Sequence, residues 1–260
     1  MAKHGANLRG TPTMNKTNMN KATRGCRARV FLGLLAILGV LLTDATPILA
    51  DTMRHVRLGP AGHVTVSAAS IGVAANIFVR AGTGADVVVH RIIKKGDGRE
   101  QYLHDSIAVK GDSLTITVQP YFAGIVHPIG VTYDITVPTE TSITYRGSNG
   151  WAKITGVRGP LDLSTANGNL AAYQSGSTVR GRTTNGNVEV ELARDAAHAA
   201  HIELRAVNGN VSLQVPASFD ARVETSGANN DVVNPFWHNR GPGLVSLFDV
   251  NGTTVVRAEP

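Results

Sequence analysis

Four Asn-Gly pairs stand at Asn149, Asn167, Asn185 and Asn208, spaced by 18, 18 and 23 residues, and the longest gap carries the insertion DAAHAAH (Asp195–His201). Self-similarity at a fixed period restricts a chain to architectures that repeat one unit. Aligned on the Asn, four columns are apolar. Six residues before it stand Ile143, Leu161, Val179 and Ile202; four before, Tyr145, Leu163, Gly181 and Leu204. Three after come Ala152, Leu170, Val188 and Val211; five after, Ile154, Ala172, Val190 and Leu213. Only Gly181 departs from the pattern, and the interleaved columns are mostly polar. Because strand side chains alternate between faces, each copy supplies two short strands with one face inward. Asn-Gly joins them, since these residues most readily take the positive φ that a sharp corner needs.

Two architectures satisfy this pattern. In a β-solenoid each copy is a rung, and like columns stack at the ~4.8 Å strand spacing. In an antiparallel meander each Asn-Gly is a tight hairpin turn. The hairpin would set Arg182 opposite Glu189 and Arg180 opposite Glu191, both favourable, but also Arg146 opposite Lys153, which is not. Periodicity alone leaves both open. Ahead of the repeat, HVTVSA (His63–Ala68), NIFVRA (Asn76–Ala81), DVVVHRI (Asp86–Ile92), SIAVKGDSLTITVQP (Ser106–Pro120) and VTYDITVP (Val131–Pro138) alternate in the same way, so the class is all-β. KKGDGRE (Lys94–Glu100) reads as a surface loop, and DAAHAAH is the one place for a short helical turn.

The first 50 residues differ. Seven basic residues lie between Lys3 and Arg29, then Val30–Leu42 is uncharged and apolar, and small residues lead to Ala50. These are the parts of a secretory signal peptide, and 13 apolar residues fall short of the ~20 that span a bilayer. Cleavage after Ala50 is expected, giving residues 51–137 as lead-in strands and 138–260 as the repeat with a C-terminal cap, together one continuous domain. Met14 and Met19 are alternative starts, and an uncleaved anchor is the alternative to cleavage. The whole chain holds 25 Lys+Arg and 19 Asp+Glu; seven and one fall in the first 50, so 18 of each remain. That neutral remainder lacks the electrostatic footprint of a nucleic-acid binder. Cys26, the sole cysteine, precedes the apolar stretch, leaving no disulfide, thiolate metal site or thiol nucleophile beyond it.

The stretches DITVPTETSITYRGSNGWAKITGVRGPLDLSTANGNL, GRTTNGNVEVEL and IELRAVNGNVSLQVPASFDARVETSGAN resemble the bacterial putative-adhesin domain of unknown function, related to the head domain of putative autotransporter adhesins. That family's rhythm is a strand ending in Val-Pro followed by recurring Thr-Ser/Asn-Gly-Asp/Asn-Val units; here the units run from Ser148-Asn149-Gly150 to Thr225-Ser226-Gly227, and the resemblance covers roughly Val56 to Asp231. The resemblance implies a β-solenoid placed outside the cytoplasm (periplasm, cell surface or medium) and brings no catalytic residues. This chain carries Asn where the family often has Asp after the Gly, and it inserts residues 193–201.

Ligand-facing candidates are few. Asn169, Asn187 and Asn210 recur at one height and would suit a row of sugar contacts, although corner chemistry and an amide ladder explain both residue type and period. Arg146, Arg182 and Arg205 share a column whose guanidinium forks suit carboxylate or phosphate on an envelope polymer or another surface protein. The neighbouring column, Asp162, Arg180 and Glu203, would answer much of that charge. Calcium is not expected at amides, nor is any cofactor. His198 and His201 have helical metal-pair spacing without an accompanying acid. A polysaccharide hydrolase or lyase on the same scaffold is the alternative function: Glu189 and Glu191 share a face, with Glu203 as a third acid. Hydrolysis needs two carboxyls facing one cleft, and no nearby aromatic cluster offers a sugar platform, Trp151 and Trp237 being far apart in sequence. FWHNRGPG (Phe236–Gly243) reads as a cap over the last rung, and Asn210 and Asn251 open Asn-x-Ser/Thr triplets. The expectation is an exported envelope protein that binds or supports, without catalysis.

Overall fold

A computed structural model describes residues 46–47, 53–59, 62–68, 73–93, 103–120, 129–196, 200–227, 232–233 and 241–259. They belong to one compact unit, 42–260. The basic head and apolar stretch, the loop 94–100 and the aromatic segment Phe236–Arg240 lie outside the described residues. No helix among the described residues is long and apolar enough to cross a membrane.

Ahead of Ala50, in the segment expected to be cleaved, stands β1 (Thr46–Pro47); the lead-in strands are β2 (Met53–Arg57), β3 (His63–Ala68), β4 (Val73–Gly82), β5 (Asp86–Ile93), β6 (Leu103–Lys110), β7 (Ser113–Pro120) and β8 (Ile129–Pro138). The repeat supplies β9 (Ser142–Asn149), β10 (Ala152–Thr155), β11 (Leu161–Asn167), β12 (Leu170–Ser175), β13 (Thr178–Asn185), β14 (Val188–Leu192), β15 (His201–Asn208) and β16 (Val211–Val215). It ends with β17 (Ala221–Gly227), β18 (Val232–Val233), β19 (Gly243–Asn251) and β20 (Thr254–Ala258).

The architecture is the solenoid, and the hairpin pairings do not form. Strands before each Asn-Gly stack in parallel, β9 on β11, β13 and β15, and strands after it stack likewise, β10 on β12, β14 and β16. Stack one therefore runs β1-β6-β7-β3-β9-β11-β13-β15-β19-β17, and stack two β2-β5-β8-β4-β10-β12-β14-β16-β20-β18. The core lies between them. All four apolar columns point into it, with Leu163, Val190 and Leu213 at 1%, 2% and 0% exposure. Gly181 is buried too: a Cβ there would meet Val188 Cγ1 at 2.8 Å and Leu204 Cδ2 at 3.3 Å, so its neighbours already fill the space.

Chain order and stacking order differ at both ends. β3 and β4 sit between β7–β8 and β9–β10, and β19 and β20 sit between β15–β16 and β17–β18. The last rung in sequence is thus laddered on both sides, which keeps it from fraying as a free terminal edge. Its corner, Asn251-Gly252, is a fifth copy of the repeat, in register with Asn208. At the other end β5 and β6 run antiparallel to the strands they cover, which stops the parallel stack.

That antiparallel layer holds a buried ion pair. Arg91 on β5 and Tyr133 on β8 are cross-strand neighbours, and both meet the Asp105 carboxylate of β6 across the interior. All three are at most 1% exposed. Burial, then the Asp105 charge, push the Tyr133 phenol up, so it remains a hydrogen-bond donor. Removing one partner of a buried pair is far more costly than replacing both. We expect Asp105→Ala to lower the unfolding free energy by about 3–5 kcal/mol, and Arg91→Met/Asp105→Leu/Tyr133→Phe, which also removes the hydroxyl that donates to Asp105, to recover most of it, in urea denaturation.

The corners are the tightest contacts. Gly150, Gly168, Gly186 and Gly209 have φ of 122°, 150°, 144° and 150°. A Cβ on Gly186 would lie 2.1 Å from the Gly168 carbonyl oxygen of the next rung, whereas one on Gly111, in the β6–β7 hairpin, would meet nothing within 4 Å. Gly186→Ala should therefore cost about 3 kcal/mol or more in the same assay, and Gly111→Asn should be nearly neutral, since Asn tolerates the left-handed region.

Candidate ligand-binding face

Alternation turns each outward column into a row of side chains at strand pitch, about 4.8 Å. On stack one the row three before each Asn reads Arg146, Ser164, Arg182, Arg205, and the registration continues to Phe248 on β19. Ser164 separates Arg146 from Arg182, so only Arg182 and Arg205 are immediate neighbours. Arg146 is held by Asp162, through its carboxylate and, at 3.0 Å, its backbone carbonyl. Arg182 Nη2 donates to Glu203 Oε1 at 2.6 Å and Arg180 Nε to Glu203 Oε2 at 3.0 Å. Arg205 has no carboxylate partner among the described residues; its guanidinium lies over the Phe248 ring, 4.5 Å from the centroid. Four guanidiniums thus face two carboxylates, and the face carries excess positive charge. Phe248 escapes a four-copy alignment, but it falls three residues before Asn251, as Arg205 does before Asn208, and emerges once that fifth corner is included.

Two shallow grooves cross this face. One, of about 530 Å³, is lined by Ser164, Thr184, Arg182 and Arg205 among others. The other, of about 300 Å³, runs from His63 past Thr144, Asp162 and Arg180 to Glu203 and His201. His63 Nε2 is 3.2 Å from Thr144 Oγ1. Burial by itself would raise the Glu203 carboxyl, but Arg182 and Arg180 outweigh it and hold the group below the ordinary carboxylate range. That is the wrong direction for the general acid of a glycosidase, which needs a raised pKa. Asp162 and Glu203 stand two rungs apart, roughly 9.6 Å by strand pitch, yet each is occupied by an arginine.

The other acids are elsewhere. Glu189 and Glu191 project from β14 in stack two, so Glu203, on stack one, does not lie a rung away from them. Glu189 accepts from the Tyr173 hydroxyl at 3.0 Å. His201 opens β15 rather than a helix, residues 193–196 form a turn closed by Ala196 N donating to Ala193 O at 2.9 Å, and His198 lies outside the described residues. Among the described residues no three His, Cys, Asp or Glu side chains gather to hold a metal ion.

Asn169, Asn187 and Asn210 form a ladder along the corner. Asn187 N donates to Asn169 Oδ1 at 2.8 Å, Asn210 N to Asn187 Oδ1 at 2.8 Å, and Thr253 N to Asn210 Oδ1 at 2.9 Å. A second ladder joins the corner asparagines: Nδ2 of Asn167, Asn185, Asn208 and Asn251 donates to Oδ1 of the preceding one at 2.8–3.0 Å. The carbonyl ends of Asn149, Asn167, Asn185 and Asn208, and of Asn169, Asn187 and Asn210, are thus engaged by the scaffold.

Similarity to known proteins is confined to structure. No family model matches the sequence, and no curated protein matches it. A putative cell adhesion protein from Clostridium sporogenes, 9% identical, superposes over 82% of this chain and 100% of its own with a TM-score of 0.50. This chain shares the fold of that protein. Putative adhesins from Bacteroides fragilis (15% identity, 80% and 96% of the two chains, TM-score 0.39) and Parabacteroides distasonis (13%, 84% and 98%, 0.31) also match. At 9% identity the likeness to the first of these is one of fold, and the β-solenoid leaves the chemistry to its outward columns.

The two kinds of candidate residue separate on stability. Asn187→Ala leaves the Asn210 amide without its acceptor and should lower stability by about 1–2 kcal/mol. Arg182→Ala removes only half-exposed ion-pair contacts and should stay within about 1 kcal/mol of the parent, both read by thermal melting.

Proposed function

We propose that this is an exported cell-envelope protein, adhesin-like and non-catalytic, which holds an anionic polymer of the envelope or another surface protein along the arginine face of stack one. The observation that carries this reading is the charge imbalance there: Arg182 and Arg180 share one carboxylate, and neighbouring Arg205 rests on Phe248 and lines the groove. Guanidiniums at fixed pitch on a rigid sheet are pre-organised for successive carboxylates or phosphates, so little side-chain freedom is lost on binding. The arrangement suits binding rather than reaction, because Asp162 and Glu203 are each paired with arginine and the Glu203 carboxyl is held below the ordinary range, opposite to what a general acid needs. The basic head, the apolar stretch and the small residue at Ala50 support export with cleavage at that point, and the adhesin-like fold agrees with placement at the cell surface or beyond it.

Protein recovered from the envelope or medium of producing cells is expected to begin at Asp51 and to bind poly(glycerol phosphate), but not neutral dextran, in isothermal titration. Affinity should fall with added salt and drop at least tenfold in Arg182→Ala/Arg205→Ala. Unchanged affinity in that variant, or chain shortening of the polymer, would remove this reading.

A further inference from the structure

The outer face of stack two carries a different chemistry. In the column Asp134, Phe78, Lys153, Ala171, Glu189, which spans β8, β4, β10, β12 and β14, an aromatic ring and an ammonium are adjacent. Beside it runs Thr136, Arg80, Thr155, Tyr173. Phe78 is 40% exposed, among the few large apolar side chains so exposed in the described residues. It meets Trp151, which stands just past the Asn149-Gly150 corner, edge to face with centroids 4.3 Å apart and an interplanar angle of 79°. Lys153 Nζ lies over the Tyr173 ring at 5.4 Å and has no carboxylate partner among the described residues. Thr155, a small side chain between Arg80 and Tyr173, leaves a cup of about 430 Å³ lined by Phe78, Arg80, Asp134, Lys153 and Thr155. Arg80 and Asp134 pair across one side of it.

This is the aromatic platform that the spacing of Trp151 and Trp237 in sequence did not suggest; the partner of Trp151 is Phe78, brought in by the inserted β4 rung. We infer that the cup is a subsite for a pyranose ring bearing a carboxylate, a uronic-acid residue of an acidic glycan. The axial C–H groups of a sugar ring carry partial positive charge and suit the negative face of Phe78. The Asp134 carboxylate accepts from ring hydroxyls, Arg80 and Thr155 donate to ring oxygens, and Lys153 supplies the counter-charge to the uronate. The volume falls in the range of small-ligand sites, where one apolar wall and a few convergent polar groups fix orientation. A neutral sugar would leave Lys153 without its ion; a purely charged ligand such as phosphate would leave Phe78 unused. This site is separate from the arginine face and stands whether or not that face binds a polymer.

The test uses tri-galacturonate and its methyl ester, titrated into the full protein carrying Trp237→Phe so that Trp151 alone reports through its contact with Phe78. We expect saturable quenching by the acid and, by isothermal titration, which does not depend on the Phe78–Trp151 contact, at least tenfold weaker binding of the acid in Phe78→Ala and at least tenfold weaker binding of the methyl ester to the protein with Phe78 in place. Lys153→Gln should lose affinity for the acid and not for the ester. Both substituted side chains are on the surface, and circular dichroism checks that each variant keeps its strands. Arg182→Ala/Arg205→Ala should leave this binding unchanged, which separates its outcome from that of the arginine face. Absence of saturable binding, equal affinity for acid and ester, or full affinity in Phe78→Ala would each overturn the assignment.

Discussion

The close approach of successive corners is the contact on which the rest of the molecule depends. At each Asn-Gly the glycine backbone lies so near the next rung that a Cβ on Gly168, Gly186 or Gly209 would sit 1.8–2.1 Å from the neighbouring glycine's carbonyl oxygen. Amide ladders run on both sides of that glycine row, one between asparagine side chains and one from side-chain oxygens to backbone N–H groups. Together they lock register. A slip of one residue would turn every inward side chain outward, so the ladders protect the core columns as much as the corners. Thr165 and Thr183 add a buried tie on the inner side, each donating its hydroxyl to a corner glycine carbonyl.

A stack of parallel rungs has two open ends, and this chain closes them differently. Towards β17 it tucks its last rung one place inward, so that the terminus is held by ladders on both sides. Towards β1 it reverses strand direction and buries Arg91, Asp105 and Tyr133 in a layer that also buries Val89 and Ile107. Both devices keep the edges of the repeat from recruiting further strands.

The fixed alternation also dictates where chemistry can be placed. Two outward rows per stack, at one pitch, give an arginine-rich face on stack one and an aromatic, lysine-bearing cup on stack two. The same geometry puts Glu203 on the opposite stack from Glu189 and Glu191, so acids close in sequence do not converge on one cleft. In such a scaffold specificity is a matter of which residues share a column, and along the parallel rungs column neighbours are 18 or more residues apart.

The repeat unit, the inward columns and the identity of the corners can be read from the chain alone, because alternation and the positive-φ preference of glycine are properties of one rung. Sequence also marked Gly181 as the exception, though not why. Solenoid or hairpin stayed open, since both satisfy alternation and both use Asn-Gly; only the partner of each strand distinguishes them, and pairing is a non-local choice. Tertiary structure decided the rest for the same reason. Asn251-Gly252 joins the repeat across 43 residues because the β17–β18 segment is looped out to cover it. Phe78 meets Trp151 and Arg91 meets Asp105 because rungs are inserted out of order, which no periodicity in the chain encodes.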